Sequence, residues 1–217
     1  MALTKLSTII VKRSESVHVK TLHTVLRLNV KCIQAGTIQN EVAYVNDDSH
    51  DKVAAIQEHL KRSDKILFID FGISMDDNSI EQVLQLADGV GCLVFPGVKE
   101  GIDWEMFKQK VKDKVDEPVT QIGLHFDTQV GNKIKDDFYS VASTSAKCWV
   151  VSSKHIIRSM KDKRSGKLTL PSVPQTMFER MKEKGVKIQA YTASKLTFTH
   201  PHECISNLLN AAGVTAN

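Results

Sequence analysis

The groups best placed to do chemistry in this chain are carboxylates that follow apolar runs. The sharpest case is Lys65-Ile66-Leu67-Phe68-Ile69-Asp70-Phe71-Gly72-Ile73-Ser74-Met75-Asp76-Asp77. Ile66 to Ile69 is apolar on both faces, the pattern of a strand buried within a parallel sheet. It stops at Asp70, and Gly72 then permits close approach of backbone. Ligands of open α/β sheets bind just beyond the carboxyl ends of the strands. A carboxylate there suits a metal ion, or a phosphate held through one. The competing reading is that Asp70 caps the turn or helix that follows, and the segment alone leaves both open.

Two more polar segments stand in the same relation to apolar runs. Lys12-Arg13-Ser14-Glu15-Ser16 follows Leu6 to Val11, and Asn46-Asp47-Asp48-Ser49-His50-Asp51 follows Glu41 to Val45. In a parallel sheet all three ends lie on one edge and line one cleft.

The elements that must position them read as alternating strands and helices. Leu6 to Val11 is a strand, and Val17 to Val30 a helix capped by Ser16 or Ser14. Glu41 to Val45 is a strand. Lys52 to Arg62 is a helix with Val53, Ile56 and Leu60 on one face. After the Ile66 to Ile69 strand, Ser79 to Leu86 is a helix capped by Asp76, Asp77 or Asn78. Gly91 to Val98 is a buried strand, and Trp104 to Val115 an amphipathic helix. This order predicts an α/β fold, a doubly wound and mostly parallel sheet with helices on both faces.

The second half is less regular. Val119 to Phe126 reads as a strand and Asp127 to Asp137 as a polar loop. Cys148-Trp149-Val150-Val151 is the core of another strand, followed by a short helix from Lys154 to Met160. A basic loop spans Lys161 to Pro174. A helix from Met177 to Lys184 ends at Gly185, well placed as a left-handed C-terminal residue. Val186 to Tyr191 is a last strand. Thr197 to Glu203 is polar and His-bearing, and Cys204 to Ala212 is a final helix. One domain over residues 1–217 is expected.

Composition sets the class. An excess of 29 basic over 25 acidic residues, net +4, is compatible with an anionic small ligand. No Lys/Arg-dense, aromatic-interleaved surface is evident, so nucleic acid is not an expected partner. Cys32, Cys92, Cys148 and Cys204 have neither zinc-site nor redox spacing, which favours a reducing compartment. No apolar run reaches bilayer length, and Met1 to Val11 is too short for a signal peptide. A soluble, intracellular protein is expected. The glycine-rich phosphate loop, the dinucleotide fingerprint and the serine nucleophile elbow are all missing. A nucleotide would therefore be held through side chains and a divalent metal.

Glu41 to Asp51 resembles the second-strand signature of GT-A glycosyltransferases, a strand followed by an Asp-Asp-Gly-Ser-Thr-Asp type turn. Ile66 to Asp77 is similar to the strand that delivers that family's Asp-x-Asp metal motif, and Leu6 to Leu26 resembles its opening strand, loop and helix. The similarity covers about the first 100 residues in the right order. Within the family the chain most resembles modules of the chlorella-virus type that glycosylate a major capsid protein. That implies a GT-A (Rossmann-like) fold, with a nucleotide-sugar-binding half over 1–115 and an acceptor-side half over 116–217. It implies a UDP-sugar donor, with L-rhamnose or glucose as the sugar, and Mn²⁺ or Mg²⁺ as cofactor. It also implies a glycan or glycoprotein acceptor, further domains of a longer polypeptide, and the host cytoplasm as location.

The resemblance also assigns residues. The Thr8 to Ser14 loop, with Lys12, Arg13 and Ser14, would meet the base and ribose. Asp47 or Asp48 would lie near the uracil or ribose, and Asp70 would bridge the metal to the diphosphate. Gly72 stands where the second metal carboxylate is expected. His200, His202, Asp76 and Asp77 are the substitute ligands, against the plainer readings of solvated loop and helix cap. Inverting members carry Glu-Asp before a helix ending in Lys-x-Gly. Here Leu170 to Gln175 has no carboxylate, which leaves Asp127, Asp136 and Asp137 as unranked candidate bases. Trp149 is a core residue or, in this fold, a sugar-stacking platform. Two alternatives remain. One is a haloacid-dehalogenase-like phosphatase using Asp70 with Val150-Val151-Ser152. The other is a non-catalytic sugar-nucleotide-binding module.

Overall fold

The computed structural model describes residues 3–117, 122–162 and 165–199. Its centre is built by the alternation of β3 (Lys65–Ile69): Ile66 and Phe68 enter one apolar core, Leu67 and Ile69 the other. Around it, β1 (Thr4–Lys12), α1 (Val19–Ala35), β2 (Ile38–Asn46) and α2 (Ser49–Arg62) form the first βαβα unit. β1 pairs in parallel with both β2 and β3. A two-residue strand β4 (Ile73–Ser74), α3 (Asp77–Leu84), β5 (Cys92–Val94) and α4 (Trp104–Lys112) follow. The second half supplies β6 (Thr128–Lys135), β7 (Phe138–Thr144), β8 (Cys148–Ser152), α5 (Ser153–Met160), α6 (Pro174–Glu183), β9 (Ile188–Tyr191) and β10 (Thr197–Phe198).

The main sheet has the order β2-β1-β3-β8-β5-β9-β7-β6, and β10 pairs separately with β4. β5 and β9 are parallel, β8 runs against both β3 and β5, and the β6–β7 hairpin adds to β9 through antiparallel pairing. On one face α1 and α3 contribute Leu28, Cys32, Ile80 and Val83. On the other, α2, α5 and α6 contribute Ile56, Leu60, Ile156 and Phe178. This is the α/β class expected from the sequence, with a mostly parallel centre and helices on both faces.

Several local expectations change. Asp127 to Asp137 is not a loop, because residues from Thr128 onward form β6. Its side chains are almost all exposed, so pairing to β7 makes it a strand, not burial of a face. The cap of α1 is His18, whose Nδ1 accepts from the Lys20 N–H at 3.3 Å, while Ser14 and Ser16 belong to a turn. From Ile122 to Phe126 the β pairing is confined to an isolated bridge between Phe126 and Val98. The start of that expected strand and the whole Cys204 to Ala212 helix lie outside the described residues. Among the described residues no helix is long and apolar enough to cross a membrane.

Candidate functional site

The parallel register of β1, β2 and β3 brings their carboxyl ends side by side, with Lys12 opposite Asn46 and Ile10 opposite Ile69. Just beyond, Arg13 Nε donates to Asp47 Oδ2 at 2.6 Å. Lys52, in the first turns of α2, donates to Asp47 Oδ1 and reaches Asp70 Oδ1 at 3.4 Å. Two of the three strand-end segments therefore meet at one ammonium group, and the third joins them through the Arg13–Asp47 pair. The Arg13 guanidinium lies 4.8 Å from the centre of the Phe71 ring, and His18 meets the same ring edge-on. Reciprocal backbone hydrogen bonds between Arg13 and Ser16 close a tight turn. Its central residues Ser14 and Glu15 have φ of 47° and 62°, a region non-glycine residues seldom occupy. Glu15 pairs with Lys12 at 2.7 Å.

Asp70 caps no helix. Its Oδ1 accepts from the Phe71 N–H at 2.9 Å and faces Lys52, and its own N–H donates to the Lys147 carbonyl. Burial would raise the Asp47 carboxyl, but hydrogen bonds from Lys52 and Arg13 outweigh it and hold the group below its ordinary value. Asp48 has a different job. Its Oδ1 accepts from the His50 and Asp51 N–H groups at 2.8 and 3.1 Å, capping α2, and those bonds hold its carboxyl low. Asp48 is thus spent on the helix end, where the resemblance offered Asp47 or Asp48 to the base or ribose.

Of the substitute metal ligands, Asp76 and Asp77 do not join Asp70. Asp76 sits at the start of α3, bonded to Ser79 Oγ and accepting from the Lys195 N–H. Asp77 pairs with Arg27 at 3.1 Å. His200 and His202 lie outside the described residues. Among the described residues no three His, Cys, Asp or Glu side chains converge on a point that could hold a metal. Gly72 has a physical reason. Its φ is +77°, and a Cβ there would stand 2.7 Å from the Thr199 carbonyl oxygen, while the Thr199 N–H donates to the Gly72 carbonyl. The segment that carries β10 leaves no room for a side chain.

The candidate bases separate. Asp127 is buried, and its Oδ1 accepts from the Gly97 N–H at 3.1 Å and from Thr128 Oγ1 at 2.7 Å. Its Oδ2 is buried with no partner, and burial raises the carboxyl despite those bonds. Asp136 is exposed in the β6–β7 turn at φ 45°, and Asp137 uses its carbonyl to hold Thr192. Trp149 is core: only 2% exposed, stacked on Phe68 at 5.0 Å and edge-on to Phe178. Both its neighbours belong to the protein, so the sugar-stacking reading is corrected. A cavity of about 50 Å³ reaches it beneath Asp70 and Lys52, far too small for a hexose. The sequence reading missed Lys52, Phe71 and Lys147. The one available signal was a lysine one turn into the helix behind the Asp47-Asp48 turn.

No protein-family profile and no curated protein matches the chain. Among solved structures, A197 from STIV superposes with a TM-score of 0.55 at 9% identity, over 92% of this chain and 87% of that one. GalNAc-T7, crystallised with UDP, GalNAc and Mn²⁺, gives 0.46 at 10% identity, over 93% of this chain and 45% of that one. A Drosophila β1,4-galactosyltransferase 7 variant, in complex with manganese, UDP-Gal and xylobiose, gives 0.48 at 10%, over 96% and 79%. The first likeness shows a shared fold and nothing beyond it. The other two are too loose to carry weight.

Proposed function

We propose that this chain is a glycosyltransferase whose nucleotide-sugar donor binds where β1, β2 and β3 end. The observation that carries the reading is the meeting of Arg13, Asp47, Lys52 and Asp70 at that edge. Two cations there can accept the charge that develops on a diphosphate as it leaves with its bond to the sugar broken. Arg13, stacked on Phe71, also offers a planar surface beside the site. The donor is proposed to be a UDP-sugar, with UDP-glucose and UDP-L-rhamnose the first to try. The acceptor is proposed to be a glycan or glycoprotein, a viral capsid protein among them, met by residues 116–217 and by further domains of a longer polypeptide. Of the three candidate bases, Asp127 is the one we propose. It has a buried, unpaired Oδ2 and a carboxyl raised by burial, properties that suit a group exchanging a proton with the acceptor.

The described residues do not by themselves fit Mn²⁺ or Mg²⁺, since the two nearby carboxylates, Asp47 and Asp70, are both engaged by Lys52. The phosphatase alternative loses its second motif. Ser152 pairs with Lys65, at the end of β3 opposite Asp70, so the two groups cannot share a substrate. Calorimetric titration with UDP, and chromatography of UDP-glucose and UDP-L-rhamnose for slow hydrolysis, test the reading. Binding of UDP that weakens in Arg13→Ala, with release of sugar from one donor, is the expected result. Absence of UDP binding overturns it. Binding without any turnover leaves the non-catalytic module as the answer.

A further inference from the structure

We infer that the diphosphate of the donor is held by the protein's own cations, Lys52 with Arg13, and needs no divalent metal. The inference rests on the donor-site reading above. Its ground is a mismatch between the metal motif expected from the sequence and the groups the fold assembles. Position 72 cannot carry a carboxylate, because Thr199 occupies the space. Asp76 and Asp77 are engaged at α3 by Ser79, Lys195 and Arg27. Among the described residues that leaves Asp70 and Asp47, and one ammonium group, Lys52 Nζ, already lies against both. A divalent ion could not enter that gap without expelling a like charge from hydrogen-bonding range.

The same cations have capacity to spare. An ammonium group has three N–H donors, and Lys52 directs two of them at Asp47 and Asp70. A guanidinium group has five, and Arg13 uses Nε on Asp47. Its remaining N–H groups match a phosphate in the bidentate way that favours arginine at such sites. Lys52 is anchored by the helix that Asp48 caps, and the Arg13 turn is tied by its own backbone bonds. The two cations are therefore pre-placed, which lowers the ordering cost of binding an anion.

The test is UDP binding by calorimetry in EDTA and again in MnCl₂, with wild type, Lys52→Met and Lys52→Arg, each first checked for an unchanged circular dichroism spectrum. Met keeps the apolar stem and removes the charge, and Arg restores the charge. We expect wild type to bind UDP equally in both buffers. We expect Lys52→Met to weaken binding about tenfold or more, the scale of one charge-assisted hydrogen bond, and Lys52→Arg to recover most of it. A parallel electron-spin resonance titration should show Mn²⁺ no more bound with protein present than UDP alone accounts for. UDP binding that appears only with Mn²⁺, or that ignores Lys52→Met, overturns this inference and leaves the donor site standing. Failure of UDP to bind in either buffer takes the donor site down as well.

Discussion

Replacing Gly72 by aspartate would restore in sequence the Asp-x-Asp pattern that metal-dependent members of the resembled family carry, and the structure predicts that it breaks the fold locally instead. Two costs apply. At φ +77° an L-residue sits in the left-handed region, roughly 1–2 kcal/mol above its preferred conformations. The new Cβ would also stand 2.7 Å from the Thr199 carbonyl oxygen, so the β10 segment must move. Overpacking against backbone costs about 1–3 kcal/mol. The sum, about 2–5 kcal/mol, corresponds to a fall in melting temperature of roughly 5–15 °C for a chain of this size. Gly36→Ala isolates the first cost. Gly36 has φ +66° at the end of α1, with nothing within 4 Å of a built Cβ. It should lose only about 1 kcal/mol, or 2–4 °C. Thermal unfolding of the three proteins by circular dichroism gives the comparison, and Mn²⁺ spin resonance shows whether the new carboxylate creates a metal site. A Gly72→Asp protein that melts no lower than Gly36→Ala, or that gains a tight Mn²⁺ site, would refute the account of why glycine stands there.

Three further changes probe the other assignments. Asp48→Ala should cost about 1 kcal/mol through loss of the α2 cap and weaken UDP binding far less than Lys52→Met does; loss of UDP binding at intact stability would return Asp48 to the ligand. Trp149→Ala should cost about 3–5 kcal/mol in urea unfolding, because the ring packs between Phe68 and Phe178; a cost under about 1 kcal/mol would contradict its place in the core. Asp127→Asn tests the raised carboxyl. The folded state holds this proton more tightly than the unfolded chain does. Its contribution is therefore complete below the ordinary value of 3.8 and is lost as pH rises through the higher folded value. Wild type should lose stability relative to Asp127→Asn as the pH of urea unfolding is raised from 4 to 7, and parallel curves would show that the carboxyl is not perturbed.

What the sequence makes legible here follows from how local each determinant is. The β1-α1-β2-α2-β3 order is carried by apolar runs and helical spacing within single segments, so it can be read directly. So can the placement of Arg13, Asp47 and Asp70 beyond strand ends. The direction of β8 cannot be read, because Cys148 to Val151 is equally apolar whichever way it runs. Only its pairing with β3 decides that Ser152 lies at the far edge from Asp70. β6 was hidden for the opposite reason: its residues are exposed and polar, and a partner strand holds them extended. The meaning of Gly72 depends on Thr199, distant in the chain, and that of Lys52 on the reach of a long side chain. Neither leaves a periodic trace.

The position of the site has a cause that does not depend on any one carboxylate. From β1 the chain crosses through α1 to β2 on one side, then returns through α2 to β3 on the other. Right-handed crossovers in opposite directions must lie on opposite faces of the sheet. They do here, since Leu28 and Cys32 of α1 enter one core and Ile56 and Leu60 of α2 the other. The loops after β1 and β2 therefore leave toward opposite faces, and ligands of such sheets bind in the crevice above the strand ends where the order reverses. Arg13 stacks on Phe71 beside these strand ends, and Lys52 reaches in from the α2 face to join Asp47 and Asp70. The crevice is thus a product of topology, and its chemistry is set by which helix supplies the charge. In this chain the α2 helix supplies a lysine, and the proposed metal-free anion site depends on that one side chain.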